Sequence, residues 1–153
     1  MITELLNFKR LYDMNAPLRQ AIPQLVENQP VYDTQGLRDF CDDLHGFYRE
    51  HKVPEIMREM YTVLPEPVMR PTEAYEKLVR GEVETVSIDA LAGRIAAAML
   101  VPYPPGIPLI MPGERYAAKP DSLQNYIKLA PLQDARFPGF ESDIHGLIID
   151  NGP

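Results

Sequence analysis

The chain has no tryptophan and a single cysteine, Cys41, among its 153 residues. One thiol forbids an internal disulfide framework and cannot supply a multi-thiolate zinc site. No apolar run reaches the roughly 18 to 20 residues that a membrane span needs, and no basic-then-apolar signal segment opens the sequence. A soluble, cytoplasmic protein with no membrane partner is the expectation. Basic charge is also short: 15 Lys plus Arg face 22 Asp plus Glu, a formal charge of −7. The deficit is spread evenly, with 10 basic and 13 acidic side chains in residues 1–80, and 5 and 9 in residues 81–153. No basic face is left over for phosphates, which argues against nucleic acid as a partner.

Motifs for chemistry are equally sparse. His45, His51 and His145 have no histidine at i,i+4 and no cysteine at ligand spacing, so nothing points to a metal. Gly106 and Gly113 each follow a proline, which lacks the N–H that a phosphate cradle uses. Cys41 falls on the apolar face of a helix and reads as a buried structural thiol. His51-Lys52 ends a charged helix and reads as a solvated helix end. Glu82 and Glu84 alternate with Val83 and read as one solvated face of a short strand.

What the chain does have is an ordinary apolar share, 45%, with 24% charged residues, which excludes wholesale disorder. Proline is the anomaly. There are 16, roughly twice the usual ~5% share, and Pro102, Pro104, Pro105, Pro108 and Pro112 crowd into one stretch.

The first 80 residues read as helices. Thr3 caps a segment in which Leu5, Leu6, Phe8, Leu11 and Tyr12 recur at helical spacing, and Asn15 with Pro17 breaks it. Leu18, Ile22, Leu25 and Val26 form a second short stripe, kinked or delayed by Pro23. From Gln35 to Lys52, the positions Leu37, Phe40, Cys41, Leu44, Phe47 and Tyr48 share one face of an amphipathic helix. Pro54 suits the first turn of a further helix, which Pro65 and Pro67 end, and Pro71 opens another over Thr72–Arg80 with Gly81 as its stop.

After Gly81 the pattern changes. Val83 to Ile88 alternate like a strand, followed by a turn signal at Ser87–Asp89. The run Arg94 to Val101 is apolar on every side; its three alanines favour helix, while the proline-dense continuation favours extended chain, and strand is the reading taken. Leu109-Ile110-Met111 reads as a second strand, Ser122 to Gln133 as a last helix, and Ile144 to Ile149 as a terminal strand before a turn signal at Asp150-Asn151-Gly152. The expectation is an α+β fold: a helical N-terminal half followed by a small mixed or antiparallel sheet with one more helix. Residues 1–70 would lead into an α+β domain over 71–153, the two forming one compact unit. The turn signal without a second arm, and the start directly on a helix, suggest a fragment.

Two positions stand out as candidate site residues. Glu114 directly follows the rigid Pro112-Gly113 turn, where a fixed backbone can aim its carboxylate at a cationic group. Tyr103 lies within the proline-rich stretch and offers an apolar ring with one polar tip.

These residues carry a resemblance. Pro71-Thr-Glu-Ala-Tyr75, Leu78-Val-Arg-Gly-Glu-Val-Glu84, Gly93-Arg-Ile-Ala-Ala97, Pro102-Tyr-Pro-Pro-Gly-Ile-Pro108, Pro112-Gly-Glu114 and Phe137-Pro-Gly-Phe140 ahead of His145-Gly146 closely resemble the C-terminal region of the bacterial ornithine/lysine/arginine decarboxylases. That resemblance implies a parent lyase of the aspartate-aminotransferase fold type, dependent on pyridoxal phosphate, whose diamine products and proton consumption connect it with polyamines and acid resistance. The family's cofactor lysine lies upstream in a Ser-x-His-Lys motif; here Arg49 stands where the serine of a His51-Lys52 match would be. The isolated chain is therefore expected to hold no cofactor and to have no catalytic residue of its own. The resemblance further implies a domain packed on the parent's catalytic domain near the substrate channel, with Glu114, and less directly Tyr103, toward that channel. It implies a parent that forms homodimers able to stack into decamers. Arg94 is expected to tie Gly93–Ala97 to a neighbouring carboxylate. The alternative is a free-standing interaction or regulatory module derived from this domain.

Overall fold

Apolar spacing that repeats every three to four residues makes helices here, and prolines set where they start. The computed structural model describes residues 2–103, 106–119, 121–141 and 143–146. It divides into two units, Met1–Lys52 with Arg136–Phe140, and Val53–Ala135 with Glu141–Pro153. The expected α+β class holds.

The first unit is helical: α1 (Ile2–Asp13), α2 (Leu18–Ala21), α3 (Pro23–Asn28), a 3-10 turn at Pro30–Tyr32, and α4 (Leu37–Glu50). Pro23 opens α3 instead of kinking a longer helix, because a first-turn proline loses an N–H that has no helical partner anyway. Asn15 does more than break α1. It takes a left-handed backbone, φ 48°, and its side chain caps α4 from a distance. Its Oδ1 accepts the N–H of Arg38 at 2.9 Å, while its Nδ2 donates to Asp39 at 2.7 Å. Gly36 at the helix start leaves room for this, since a Cβ there would run into the Asn15 amide.

The core of this unit is aromatic. Phe137, 1% exposed, meets Phe47 edge-on at 5.5 Å and Phe40 at 6.0 Å, and Tyr32 meets Phe40 at 5.3 Å. The Tyr32 hydroxyl donates to the Pro138 carbonyl at 2.9 Å. Leu5, Leu6 and Phe8 of α1 are exposed, and Leu11 is its buried residue.

The second unit holds α5 (Val53–Glu59), β1 (Glu66–Pro67), α6 (Pro71–Val79), a 3-10 turn at Ile88–Ala90, β2 (Val101–Tyr103), β3 (Glu114–Arg115), α7 (Ser122–Arg136) and β4 (Asp143–His145). Arg136, the last residue of α7, is counted with the first unit. β1 pairs antiparallel with β3, Glu66 opposite Arg115, and β2 pairs antiparallel with β4, Val101 opposite His145. The expected small sheet is thus two antiparallel ribbons.

Three expectations are corrected. Residues 83–88 form no strand: Val83, Thr85 and Ser87 are exposed and gain no ladder partner, so alternation alone does not order them. Of the apolar run to Val101, only its end is strand; the rest bends at Ala97 and Ala98 and touches neighbours through single bridges, Ile95 to Arg115 and Leu100 to Ile110. Leu109-Ile110-Met111 contributes one of those bridges and no strand. Pro67, expected only to stop a helix, also pairs opposite Glu114, which suits a two-residue edge strand where its missing N–H is tolerated. α7 continues through Pro131 to Arg136, held by buried Leu123, Ile127, Leu129 and Ala130, and its first turn is capped by Asp121, which accepts the Gln124 N–H at 2.9 Å. The turn expected at Asp150–Gly152 and the end of the terminal strand lie outside the described residues.

Ala96, Leu100, Leu109, Ile110, Tyr116, Leu123, Ile127 and Ile144 are among the residues packing this unit's core. Gly113 fixes where its extended segments cross. Its N–H donates to the Ala96 carbonyl at 2.8 Å, and its carbonyl accepts Val68 and Met69 N–H groups at 3.0 and 3.1 Å. Its φ is +90°, and a Cβ would strike the Met69 carbonyl.

Candidate functional site

Glu114 and Tyr103 belong to different ribbons, β1–β3 and β2–β4. The half-buried Glu114 turns its carboxylate back on its own turn, where Oε2 accepts the Met111 N–H at 2.7 Å. Its partner there is a backbone amide, which stiffens the Met111–Glu114 turn, while its main chain joins β3 to Ala96. Tyr103 is 53% exposed. Its ring meets His145 edge-on at 5.2 Å and lies against Gly106, whose N–H donates to the Pro102 carbonyl at 2.9 Å. The His145 ring and the Gly106 backbone therefore brace the tyrosine ring.

The second unit also contains an open cleft of about 970 Å³, lined by α6, the irregular chain from Gly81 to Leu91, and the segment Gly93–Ala98. Ala96, Ala97 and Ala98 make one wall, and their small side chains leave the space open; Tyr116 and Ile127 also line it. The sequence reading missed this cleft, although three consecutive alanines in an otherwise bulky apolar run were its signal.

Charges in and around the cleft are already matched. Lys77 pairs with Glu82 at 3.4 Å, Arg94 pairs with Glu84, and Arg115 pairs with Glu66 at 3.3 Å. Arg94 also donates to the Ala90 carbonyl at 2.8 Å, so it ties its segment to a carboxylate as expected. Arg115 donates to the Gly93 carbonyl at 2.9 Å. Such pairs hold irregular backbone in place; a general acid or base would need a carboxylate or imidazole poised beside a reacting group.

The remaining candidates behave as structure. Cys41 is half-buried, and burial, with Asp42 adding to it, pushes its thiol up, away from the reactive thiolate. The His51 ring packs on Phe47 at 4.4 Å, and Lys52 is exposed in a left-handed turn, so the pair terminates α4. Burial raises the Tyr116 hydroxyl above its ordinary range. Among the described residues, no three His, Cys, Asp or Glu side chains are grouped to hold a metal, and no helix is long and apolar enough to cross a membrane.

The fit to pyridoxal phosphate turns on lysine. Lys9, Lys77 and Lys128 are paired with Asp13, Glu82 and Asp89, and Lys52 and Lys119 are exposed. Lys77 is the lysine that lines the cleft, and its ammonium is engaged by Glu82. These residues do not fit the cofactor.

The family model described as Orn/Lys/Arg decarboxylase, C-terminal domain, matches residues 54–152, beginning within α5. The lysine decarboxylase LdcA of Pseudomonas aeruginosa is 54% identical over 154 residues, matching 100% of this chain and 20% of its own length. The biodegradative arginine decarboxylase of Escherichia coli is 39% identical over 153 residues, with 99% of this chain and 20% of the relative covered. The solved structure of lysine decarboxylase A from Pseudomonas aeruginosa matches with a TM-score of 0.90 and 54% identity, covering 99% of this chain and 20% of that one. The chain spans about one fifth of the length of the curated relatives it matches.

Proposed function

Since the chain belongs to the Orn/Lys/Arg decarboxylase C-terminal domain family, we propose that it serves as the non-catalytic C-terminal part of a lysine, arginine or ornithine decarboxylase. The parent is a cytoplasmic, pyridoxal-phosphate-dependent carboxy-lyase that works as a homo-oligomer, a dimer able to build into a decamer. This domain packs on the parent's catalytic domain and helps shape the substrate entrance. The observation that carries the reading is the match of the entire chain, at 54% identity, to one fifth of a lysine decarboxylase. The lysine placements support it, because cofactor chemistry then belongs to the remaining four fifths. The acidic balance of −7 also supports it: the substrates are cationic, and a negative surface near an entrance raises their local concentration.

Within this reading Glu114, and with it Tyr103, face the entrance. In the full-length enzyme at low ionic strength, Glu114→Gln is expected to raise KM for the basic amino acid by about two- to fivefold with kcat little changed, the signature of lost steering. An unchanged KM removes Glu114 from the entrance. The isolated chain, mixed with pyridoxal phosphate, is expected to bind none and to release no carbon dioxide; either event overturns the non-catalytic assignment.

A further inference from the structure

α6 has its apolar face on the wrong side for its own core. At about 100° per residue, Pro71, Thr72, Tyr75, Leu78 and Val79 fall on one face, and Glu73, Glu76, Lys77 and Arg80 fall on the opposite one. An amphipathic helix ordinarily buries the first of these. Here the buried residue is Ala74, at the margin between the faces, while Tyr75 is 63% and Val79 67% exposed, with Leu78 at 40%. The core of its own unit thus uses an edge of α6 and, apart from Leu78 at the cleft, leaves its apolar face open.

The charged side is closed on itself. Arg70 meets Glu73 at 2.8 Å, Glu76 meets Arg80 at 3.3 Å, and Lys77 meets Glu82 at 3.4 Å. Every basic side chain there has an acidic partner, so α6 is locally neutral in a chain that carries −7 overall. A neutral rim around an apolar face offers no charge for a soluble ionic partner to match. It suits a dry, permanent contact with another protein surface. The relatives supply such a surface, since about four fifths of their length lies outside the matched region.

We propose that the Tyr75–Leu78–Val79 face of α6 is the seam by which this domain docks onto the catalytic part of the same polypeptide. The proposal rests on the reading that the chain is the C-terminal part of a decarboxylase, and it names the surface that reading requires.

Hydroxyl-radical footprinting of the full-length enzyme, followed at Tyr75 and Leu78, tests it. Each side chain is expected to be modified at least about fivefold more slowly than the same side chain in a full-length Val79→Asp variant, as a buried interface core demands. In that variant Tyr75 is kept as the reporter, and the charge at position 79 is expected to open the seam, while Glu76→Gln on the charged side leaves protection unchanged. Equal modification rates in enzyme and variant overturn the proposal. So does protection that disappears when dilution separates the subunits, because the occupant is then a second copy. Decarboxylase activity of the unmutated full-length enzyme is read in parallel: an active enzyme with an accessible Tyr75 sinks the seam alone, whereas a full-length protein with no such activity sinks the underlying reading.

Discussion

The two units reach order by opposite means. In the first, helices are knit by aromatic rings, with Phe137 meeting Phe40 and Phe47 edge-on. In the second, much of the chain is neither helix nor strand, and its segments are pinned where backbone crosses backbone, as at Gly113. One unit depends on what its side chains fill, the other on what a residue leaves empty. Removing volume should therefore harm the first most, and adding a single carbon should harm the second.

The largest effect is expected from Phe137→Ala. It vacates a site 1% exposed at the centre of the aromatic cluster and should cost about 3–5 kcal/mol, read as lost amide-exchange protection in α4. A cost near 1 kcal/mol would mean that the cluster collapses around the cavity, and that this unit is as plastic in its side chains as the second is strict in its backbone. Gly113→Ala comes next. A Cβ there strikes the Met69 carbonyl at a φ of +90°, and the loss should be about 2–4 kcal/mol, read at the Ala96 and Met69 amides. Equal stability of this variant and the parent sequence would dissolve the contrast.

This contrast also explains what was legible beforehand. Helices α4, α6 and α7 could be read because a three-to-four residue apolar spacing and a proline or cap at the start are both local signals, as with Pro71 and Leu37 to Phe47. The family resemblance, carried by residues from Pro71 to Gly146, could be read for the same reason: the blocks are contiguous. What stayed hidden was non-local. Nothing near Asn15 in sequence shows that it caps a helix starting at Leu37, and nothing near Pro67 shows that it pairs with Glu114. The strand expected over residues 83–88 failed because alternation describes a face without supplying a partner. Glu114 was singled out by the rigid turn before it, and the turn is indeed what its carboxylate binds; a bond to one's own backbone amide leaves no trace in sequence that separates it from a carboxylate aimed outward.

Gly46→Ala sharpens the comparison from the other side. Gly46 lies within α4, its φ is not positive, and a Cβ would meet nothing within 4 Å. Here the glycine only weakens the helix, so alanine should stabilise the protein by about 0.5–1 kcal/mol, seen as a higher thermal midpoint. The same substitution would then have opposite signs in the two units. A destabilised Gly46→Ala variant would show that close backbone approach governs the helical unit as well.

The smallest effect should fail to tell the units apart, and that is its use. Asp33 in the first unit is held below the usual carboxylate range by its hydrogen bond from Arg19, and Glu73 in the second by its hydrogen bond from Arg70. Both pairs are solvent-exposed, where screening leaves an ion pair little net value. A carboxyl whose folded pKa is depressed contributes its stability above the unfolded pKa and loses it as pH falls through the folded one. Asp33→Asn and Glu73→Gln should therefore each flatten the acid limb of a melting-temperature profile as pH falls from the unfolded carboxyl pKa through the lower folded one, by amounts alike and smaller than the Gly46→Ala shift. If one variant flattened that limb and the other did not, surface charge would join ring packing and backbone crossing as a property that separates the units. If both behave alike, the difference between the units resides in how their backbones are held.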